Sequence, residues 1–469
     1  MLHLNIAKVS KKSSLLTILL LTVLVAFTGC KKEFESTFKT NLPVAYMGDN
    51  VKAGITGKPN IILVLANDFG FELPTYNGGQ SYSTPNLDAM AGNGMFFQQA
   101  YNHPDGSPSR IATLTGKYNF RNFLYWGYLP PDQKTLGNML QDVGYKTCFA
   151  GKWQLDGADT RIRSAGFDQY LVYLPDGKGQ RVNRYKSPQL YSNGAYLRAS
   201  QVQGKYSEDL LFNFMSNFID SSKNNSFFAV YATLLPAQPW VPTPDNPDYA
   251  AWDPANDNRL SNKTKYYPGM VNYLDKNIGK IVQKLQAAGV AQNTVILYTS
   301  ATQTDSRIVS KWRGQKIQGT KTNTFKYGTN IPLLAYWPGH ILPGQTSQTL
   351  IDFTDFMPTL ADIAQIPVPT TYGTLDGTSF YDNMLGITGK NRDWVFCQWD
   401  NNPIDNVPVE RYINDAELKL YDTVGVGNGK FYNIAVDPYE KSPIPDSQLT
   451  PTQLARKAYF RSVLDTLHK

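Results

Sequence analysis

Lys58-Pro59-Asn60-Ile61-Ile62-Leu63-Val64-Leu65-Ala66-Asn67-Asp68 is the stretch whose reading decides the fold. Ile61 to Ala66 is an unbroken apolar run rich in β-branched residues, the pattern of a strand buried on both faces of a parallel sheet. Similar runs recur at Phe227 to Ala232, Thr294 to Thr299 and Ile331 to Tyr336, with amphipathic helices between them. The clearest helix runs from Tyr267 to Ala288, with Met270, Leu274, Ile278, Ile281 and Leu285 on one stripe and Gly289 as its stop. This alternation predicts an α/β fold, a mostly parallel central sheet flanked by helices, with its functional loops at the carboxyl ends of the strands. After about Gly386 the pattern shortens to strands such as Trp394 to Trp399 and Leu418 to Tyr421, then a final helix from Pro451 to Leu467 capped by Thr450. That tail predicts a smaller C-terminal α+β subdomain. The expected layout is a main domain over 57–386 and a subdomain over 387–469, with no internal repeat or low-complexity block.

The N-terminus reads as an address. Lys8, Lys11 and Lys12 precede an apolar run from Leu15 to Phe27 that ends in Phe27-Thr28-Gly29-Cys30. The run is short for a membrane span and fits the apolar region of a signal peptide. The small residues before Cys30 resemble a bacterial lipoprotein cleavage box, so residues 1–29 are expected to be removed and Cys30 to carry lipid. An ordinary signal with an incidental cysteine is the alternative. Residues 30–56 are polar and without a period, and read as a tether. The expected location is the bacterial cell envelope, anchored by lipid to the outer membrane and facing the periplasm or the exterior.

Composition restricts the chemistry. Hydrophobic residues at 42% and charged residues at 18% belong to a folded protein able to bury a full core. The net charge of +7 includes the three leader lysines, and the remaining +4 is too mild for a nucleic-acid footprint. There are four histidines (His3, His103, His340, His468) and three cysteines (Cys30, Cys148, Cys397). No Cys-x-x-Cys or His-x-x-x-His spacing exists, which excludes a zinc cluster and a disulfide framework. Any mechanism that gathers several histidines at one site is already doubtful.

The order of several short blocks resembles the sulfatases of the alkaline-phosphatase-like superfamily. Ser83-Thr84-Pro85-Asn86-Leu87-Asp88 with Gly94-Met95-Phe96-Phe97 is similar to the family's first helix and strand. Ser107-Pro108-Ser109-Arg110 with Leu114-Thr115-Gly116 resembles the signature around its nucleophile. Lys134-Thr135-Leu136, Gly144-Tyr145-Lys146-Thr147 and Gly151-Lys152-Trp153 follow in order. Later markers are Met357-Pro358-Thr359-Leu360, Leu375-Asp376-Gly377-Thr378-Ser379 and Asp437-Pro438-Tyr439-Glu440. The resemblance covers nearly the whole chain after Lys58. It implies a formylglycine made from Cys or Ser, a divalent cation such as calcium held by carboxylates and an amide, and histidines and lysines that handle protons and sulfate oxygens.

Carried over residue by residue, the resemblance implies a depleted site. The nucleophile position is Gly106, which has no side chain to oxidise. The metal-ligand positions read Asn67, Asp68, Ala301 and Thr302, leaving one carboxylate for a cation that takes six or more oxygens. The two histidine positions are Gln154 and Ala237. Arg110, Lys152 and Lys321 keep positions that contact the nucleophile or sulfate, and with Asp68 they leave a charge of about +2. No catalytic residue and no metal or other cofactor is therefore expected. Arg110, Lys152, Lys321 and Asp68 are expected to bind an anion, since guanidinium and ammonium groups pair well with sulfate, phosphate or carboxylate. The competing expectation is that the three cations are inert salt-bridge partners of Asp68 and its neighbours.

Three functions follow. The favoured one is a lipid-anchored, catalytically silent sulfatase-like protein that binds an anionic or sulfated glycan at the cell envelope. The second is an active sulfuric or phosphate ester hydrolase with a rearranged site, for which Ser107, Ser109 and His103 are the only nearby candidates. Ser107 and Ser109 otherwise read as helix-start residues that satisfy backbone groups. The third is a non-catalytic scaffold of an envelope protein complex. Trp126, Tyr128, Trp153, Trp240 and Trp312 fall in loops around the site and are either sugar platforms or core.

Overall fold

The computed structural model describes residues 57–176, 183–254, 264–400 and 409–467. The expected leader, tether and lipidated Cys30 lie outside the described residues. Among the described residues, ten strands form one sheet in the order β12-β2-β11-β8-β1-β7-β3-β4-β5-β6. These strands are β1 (Asn60–Ala66), β2 (Met95–Tyr101), β3 (Lys146–Lys152), β4 (Gln169–Tyr173), β5 (Tyr191–Ser192), β6 (Ala195–Tyr196), β7 (Phe227–Ala232), β8 (Thr294–Ser300), β11 (Asn330–Tyr336) and β12 (Gln345–Asp352). The apolar runs are the sheet's centre, and every residue of β1, β7, β8 and β11 is buried.

β1 pairs in parallel with β7 and β8, and β3 in parallel with β7 and β4. β11 runs antiparallel to both β8 and β2. Its sequence could not show this, because a strand buried on both faces has the same apolar run in either direction. β2 therefore points the same way as β1 and β8. The carboxyl ends of β1, β2, β3, β7 and β8 and the amino end of β11 meet at one edge of the sheet, and there the functional loops gather.

The flanking helices include α1 (Pro85–Gly92), α2 (Gly106–Thr115), α3 (Ser207–Ser222), α4 (Tyr267–Ala287) and α5 (Phe356–Ile363). α4 buries the expected stripe of Met270, Leu274, Ile278, Ile281 and Leu285, and Gly289 follows it with φ +74°. α1 has no side-chain cap of its own. Asp275 of α4 supplies one, accepting from the backbone N–H groups of Asn86 (3.1 Å) and Leu87 (2.8 Å) and from Asn86 Nδ2 (2.7 Å). One carboxylate thus satisfies orphan donors at the start of α1 and fixes it against α4.

Past residue 386 a separate four-stranded antiparallel sheet forms from β13 (Val395–Trp399), β14 (Glu410–Asn414), β15 (Leu418–Tyr421) and β16 (Phe431–Asn433). α6 (Pro451–Leu467) packs Phe460 and Leu464 against Phe396, Ile413 and Leu420. Arg392, just before β13, reaches back into the main unit. Its Nε donates to both Asp355 oxygens (2.8 and 2.7 Å), Nη1 to Tyr118 Oη (3.0 Å), and Nη2 to Thr354 Oγ1 (3.0 Å) and the Asp376 carbonyl (2.7 Å). Between β8 and β11 in sequence lies a small hairpin that forms its own two-stranded sheet, β9 (Val309–Trp312) and β10 (Gln315–Gln318).

Candidate functional site

β1 ends in Asn67 and Asp68, and both side chains are buried at the sheet edge. Asp68 has φ +64°, a strained backbone for a non-glycine residue that is held here by its neighbours. Thr302, two residues after β8, accepts from the Asp68 backbone N–H (2.9 Å) and donates to Asp68 Oδ1 (2.7 Å). Lys321 Nζ sits 2.7 Å from the same Oδ1. Lys152, the last residue of β3, donates to Asn67 Oδ1 at 3.2 Å. Burial alone would raise the Asp68 carboxyl, but Lys321 and Lys152 outweigh it and hold it below its ordinary value. The expected ion pair of Lys321 with Asp68 is therefore present. Ala301 is buried and brings no side-chain oxygen.

The fit of a divalent cation can be judged from this donor set. Asp68 is a single carboxylate already facing an ammonium group, and Asn67 Oδ1 faces another. Among the described residues no three His, Cys, Asp or Glu side chains gather in a way that could hold a metal. These residues do not fit the family's calcium.

α2 begins at Gly106, and its N-cap is Asp105, whose carboxylate accepts from the Gly106 N–H. Ser107 and Ser109, read as helix-start residues that satisfy backbone groups, lie in its first turn and do so, while the cap itself is Asp105. Ser109 Oγ donates to the Asp105 carbonyl at 2.7 Å, and Ser107 Oγ accepts from the Gly127 N–H at 2.8 Å. His103 is buried, and neither ring nitrogen has a hydrogen-bond partner among the described residues. Burial pushes its pKa down to about 4, so it is a neutral imidazole held against neither serine. An alcohol without an oriented base is not activated.

A Cβ placed on Gly106 would lie 2.6 Å from Arg110 Nη1. The guanidinium thus occupies the space a side chain at 106 would need. Arg110 Nη1 donates to Gln154 Oε1 at 3.3 Å, while Nε and Nη2 are buried without partners. Gln154 stands at φ +54° immediately past Trp153, and Ala237 is buried in the loop after β7.

Arg184 completes the cluster and was missed in the sequence. It belongs to no motif block, and only the fold brings it here, with its guanidinium donating to the Gln238 carbonyl and lying 5.3 Å from the Tyr173 ring. Lys152 lies well below its ordinary pKa because of burial, then Arg110, Arg184 and Lys321. Arg110 falls to about 10 through burial, with Asp105 and Asp68 opposing and Arg184 adding to the fall. Four cations therefore sense one another around two carboxylates, which leaves the formal charge of about +2 read from the sequence unchanged while adding one ion of each sign. Guanidinium and ammonium groups with open donors pair well with oxyanions in general, and α2 begins with its positive end at Gly106.

Glu72, four residues past Asp68, is buried, and burial raises its carboxyl to about 7 from 4.5 despite a hydrogen bond from Thr304. The native state keeps a proton that the unfolded chain releases, so stability falls as pH rises from about 4.5 to about 7. Glu72→Gln should flatten that fall by on the order of 3 kcal/mol, read from urea unfolding at pH 5 and pH 8. An unchanged pH slope in the variant would remove Glu72 as its source.

The platform aromatics divide. Trp153 and Trp240 are buried with 0% and 3% exposure, so as platforms they are corrected to core. Trp126, Tyr128 and Trp312 remain half-exposed.

Comparison with known proteins agrees with the fold. The sulfatase family profile matches residues 59–366, and a profile described as N-sulphoglucosamine sulphohydrolase, C-terminal, matches residues 320–458. N-acetylgalactosamine-6-sulfatase of Mus musculus is 28% identical over 398 residues, spanning 77% of this chain and 72% of that protein. N-acetylgalactosamine-6-O-sulfatase of Bacteroides thetaiotaomicron is 24% identical over 510 residues, spanning 91% and 94%. The crystal structure of Ps i-CgsB in complex with k-i-k-neocarrahexaose superposes with a TM-score of 0.69 at 25% identity, covering 83% of this chain and 89% of that one. With the sheet order, the loops at its carboxyl edge and the profile match over most of its length, the chain belongs to the sulfatase family of the alkaline-phosphatase-like fold.

Proposed function

We propose that this sulfatase-family protein binds a sulfated or otherwise anionic sugar and does not hydrolyse it. The observation that carries the reading is Lys321 Nζ at 2.7 Å from Asp68 Oδ1, beside a Gly106 whose side-chain space is taken by Arg110. An ammonium group stands against the carboxylate that would serve a metal, and a guanidinium stands where a nucleophile would project. The remaining donors of Arg110, with Lys152 and Arg184, suit a tetrahedral oxyanion. Several relatives are sulfatases of N-acetylhexosamines, which supports a sulfated sugar as the ligand class. The leader pattern and Cys30 support a lipid anchor at the bacterial envelope.

Isothermal titration with sulfate, N-acetylgalactosamine 6-sulfate and unsulfated N-acetylgalactosamine tests the reading. The expected result is binding of the two anions, with no sulfate released from the sulfated sugar in the presence of calcium. Turnover that is lost in Ser107→Ala or Ser109→Ala would overturn it in favour of a rearranged hydrolase. Binding of none of the three ligands would overturn it in favour of a scaffold.

A further inference from the structure

A cavity of about 220 Å³ lies apart from the anion cluster and shares no lining residue with it. Its walls come from five places in the chain, of which four are Phe71 and Asn77 after β1, Gln98 and Gln99 of β2, the tip of the β9–β10 hairpin, and the segment entering β11. Ile434 to Pro438, after β16, closes the remaining side.

The lining is aromatic on its faces and amide on its edges. Phe71 is buried, 4.6 Å from the Tyr327 ring at a tilt of 32° and 5.2 Å from the Trp312 ring edge-on at 85°. Trp312 and Tyr327 are each half-exposed, so the three rings form a corner open to solvent. Trp312 Nε1 donates to the Asn77 carbonyl at 2.8 Å. Its one polar group is thereby spent on the protein, and what remains of the ring for a ligand is the part that Arg313 and Phe71 do not cover.

Arg313 stands at the mouth. Its backbone has φ +47°, which is costly for a residue with a side chain, at the turn before Gly314. That conformation lays the guanidinium over Trp312, 4.6 Å from the ring centroid, while Nε reaches the Asn77 carbonyl at 3.3 Å. The cation is exposed, and its Nη2 also reaches Asn77 Oδ1 at 3.4 Å.

Ring faces, amide edges and an exposed cation match the three chemistries of a substituted pyranose: apolar C–H faces, hydroxyl edges and an anionic group. The volume is below the roughly 300–1,000 Å³ of pockets for drug-sized ligands and suits one ring. We propose that this cavity is a second saccharide subsite, which takes one pyranose residue against Trp312 and Tyr327 and places its anionic substituent on Arg313.

Saturation-transfer NMR and tryptophan fluorescence, with galactose, N-acetylglucosamine and the 6-sulfate of each as probes, test it on the full chain. Trp312→Ala should weaken the sugars by about tenfold. Arg313→Gly should weaken only the sulfated probes, and it relieves the backbone conformation, so it keeps the variant folded where Trp312→Ala does not. An Arg110→Ala, Lys321→Ala background should retain this response, which separates the cavity from the anion cluster. Sugar signals unchanged in both Trp312→Ala and Arg313→Gly would overturn the proposal. So would the absence of any signal from all four probes with the parent protein.

Discussion

Arg110→Ala combined with Lys152→Met should abolish the thermal stabilisation expected from sulfate and at the same time make the unliganded protein more stable. Both cations are buried, at 2% and 7% exposure. Arg110 Nε and Nη2 have no partner among the described residues, Arg110 adds to the burial that lowers the proton affinity of Lys152, and Arg184 does the same to Arg110. In the free protein they are desolvated like charges, a cost of several kcal/mol per ion that only partial pairing offsets. A bound sulfate would supply the missing acceptors, and each charge-assisted hydrogen bond contributes about 1.5–3 kcal/mol. Removing two such donors should weaken sulfate by about 100-fold or more. The ligand-induced shift in melting temperature should vanish by linkage, while the melting temperature without ligand rises. Calorimetry with and without sulfate reads both quantities. A variant that is destabilised and still gains stability from sulfate would place the anion elsewhere.

The largest loss of stability is expected at Arg392. Its side chain is 5% exposed and that of Asp355 is 1% exposed, so the pair is isolated from water. Asp355 also accepts from the Asp352 N–H (2.8 Å) and the Thr378 N–H (2.6 Å), which fixes its carboxylate whether or not the arginine is present. Arg392→Met would leave that carboxylate buried without its counter-charge, at a cost of about 3–5 kcal/mol. Arg392→Lys keeps the charge but loses the fork that reaches Asp355, Tyr118, Thr354 and Asp376 together, and should fall between the two. Urea unfolding of the three proteins gives the order directly. A lysine variant as stable as the parent would show that charge alone, without the planar geometry, suffices.

How much of this was legible in the sequence depends on the range of the interaction. β1, β7 and β8 could be read because a strand buried on both faces is an unbroken apolar run over a few residues. α4 could be read because its stripe has a helical period. The antiparallel direction of β11 could not, since reversing the strand leaves its pattern unchanged. Gly106, Asn67, Ala301, Thr302, Gln154 and Ala237 were found through the order of family blocks, and the fold gathers the same segments at one edge of the sheet. Lys321 was placed by counting back from Ile331-Pro332, and it does meet Asp68. Arg184 and the capping of α1 by Asp275 left no trace, because each acts on residues far away in the chain and within no short motif. Trp153 and Trp240 show the converse: both lie beside site segments in sequence, yet the core takes them.

The close approach of Arg110 Nη1 to Gly106 bears on the history of the site. A thiol or hydroxyl returned to position 106 would enter space that the guanidinium now fills, and Arg110 could leave only by giving up Gln154. A second carboxylate returned at position 67 would meet Lys152, and a metal beside Asp68 would have to displace Lys321. Each of these positions thus faces a cation of the cluster: Arg110 at 106, Lys152 at 67 and Lys321 at 68. On the proposed reading, hydrolysis would need several of these residues changed at once, while the binding of an anion can be tuned one residue at a time.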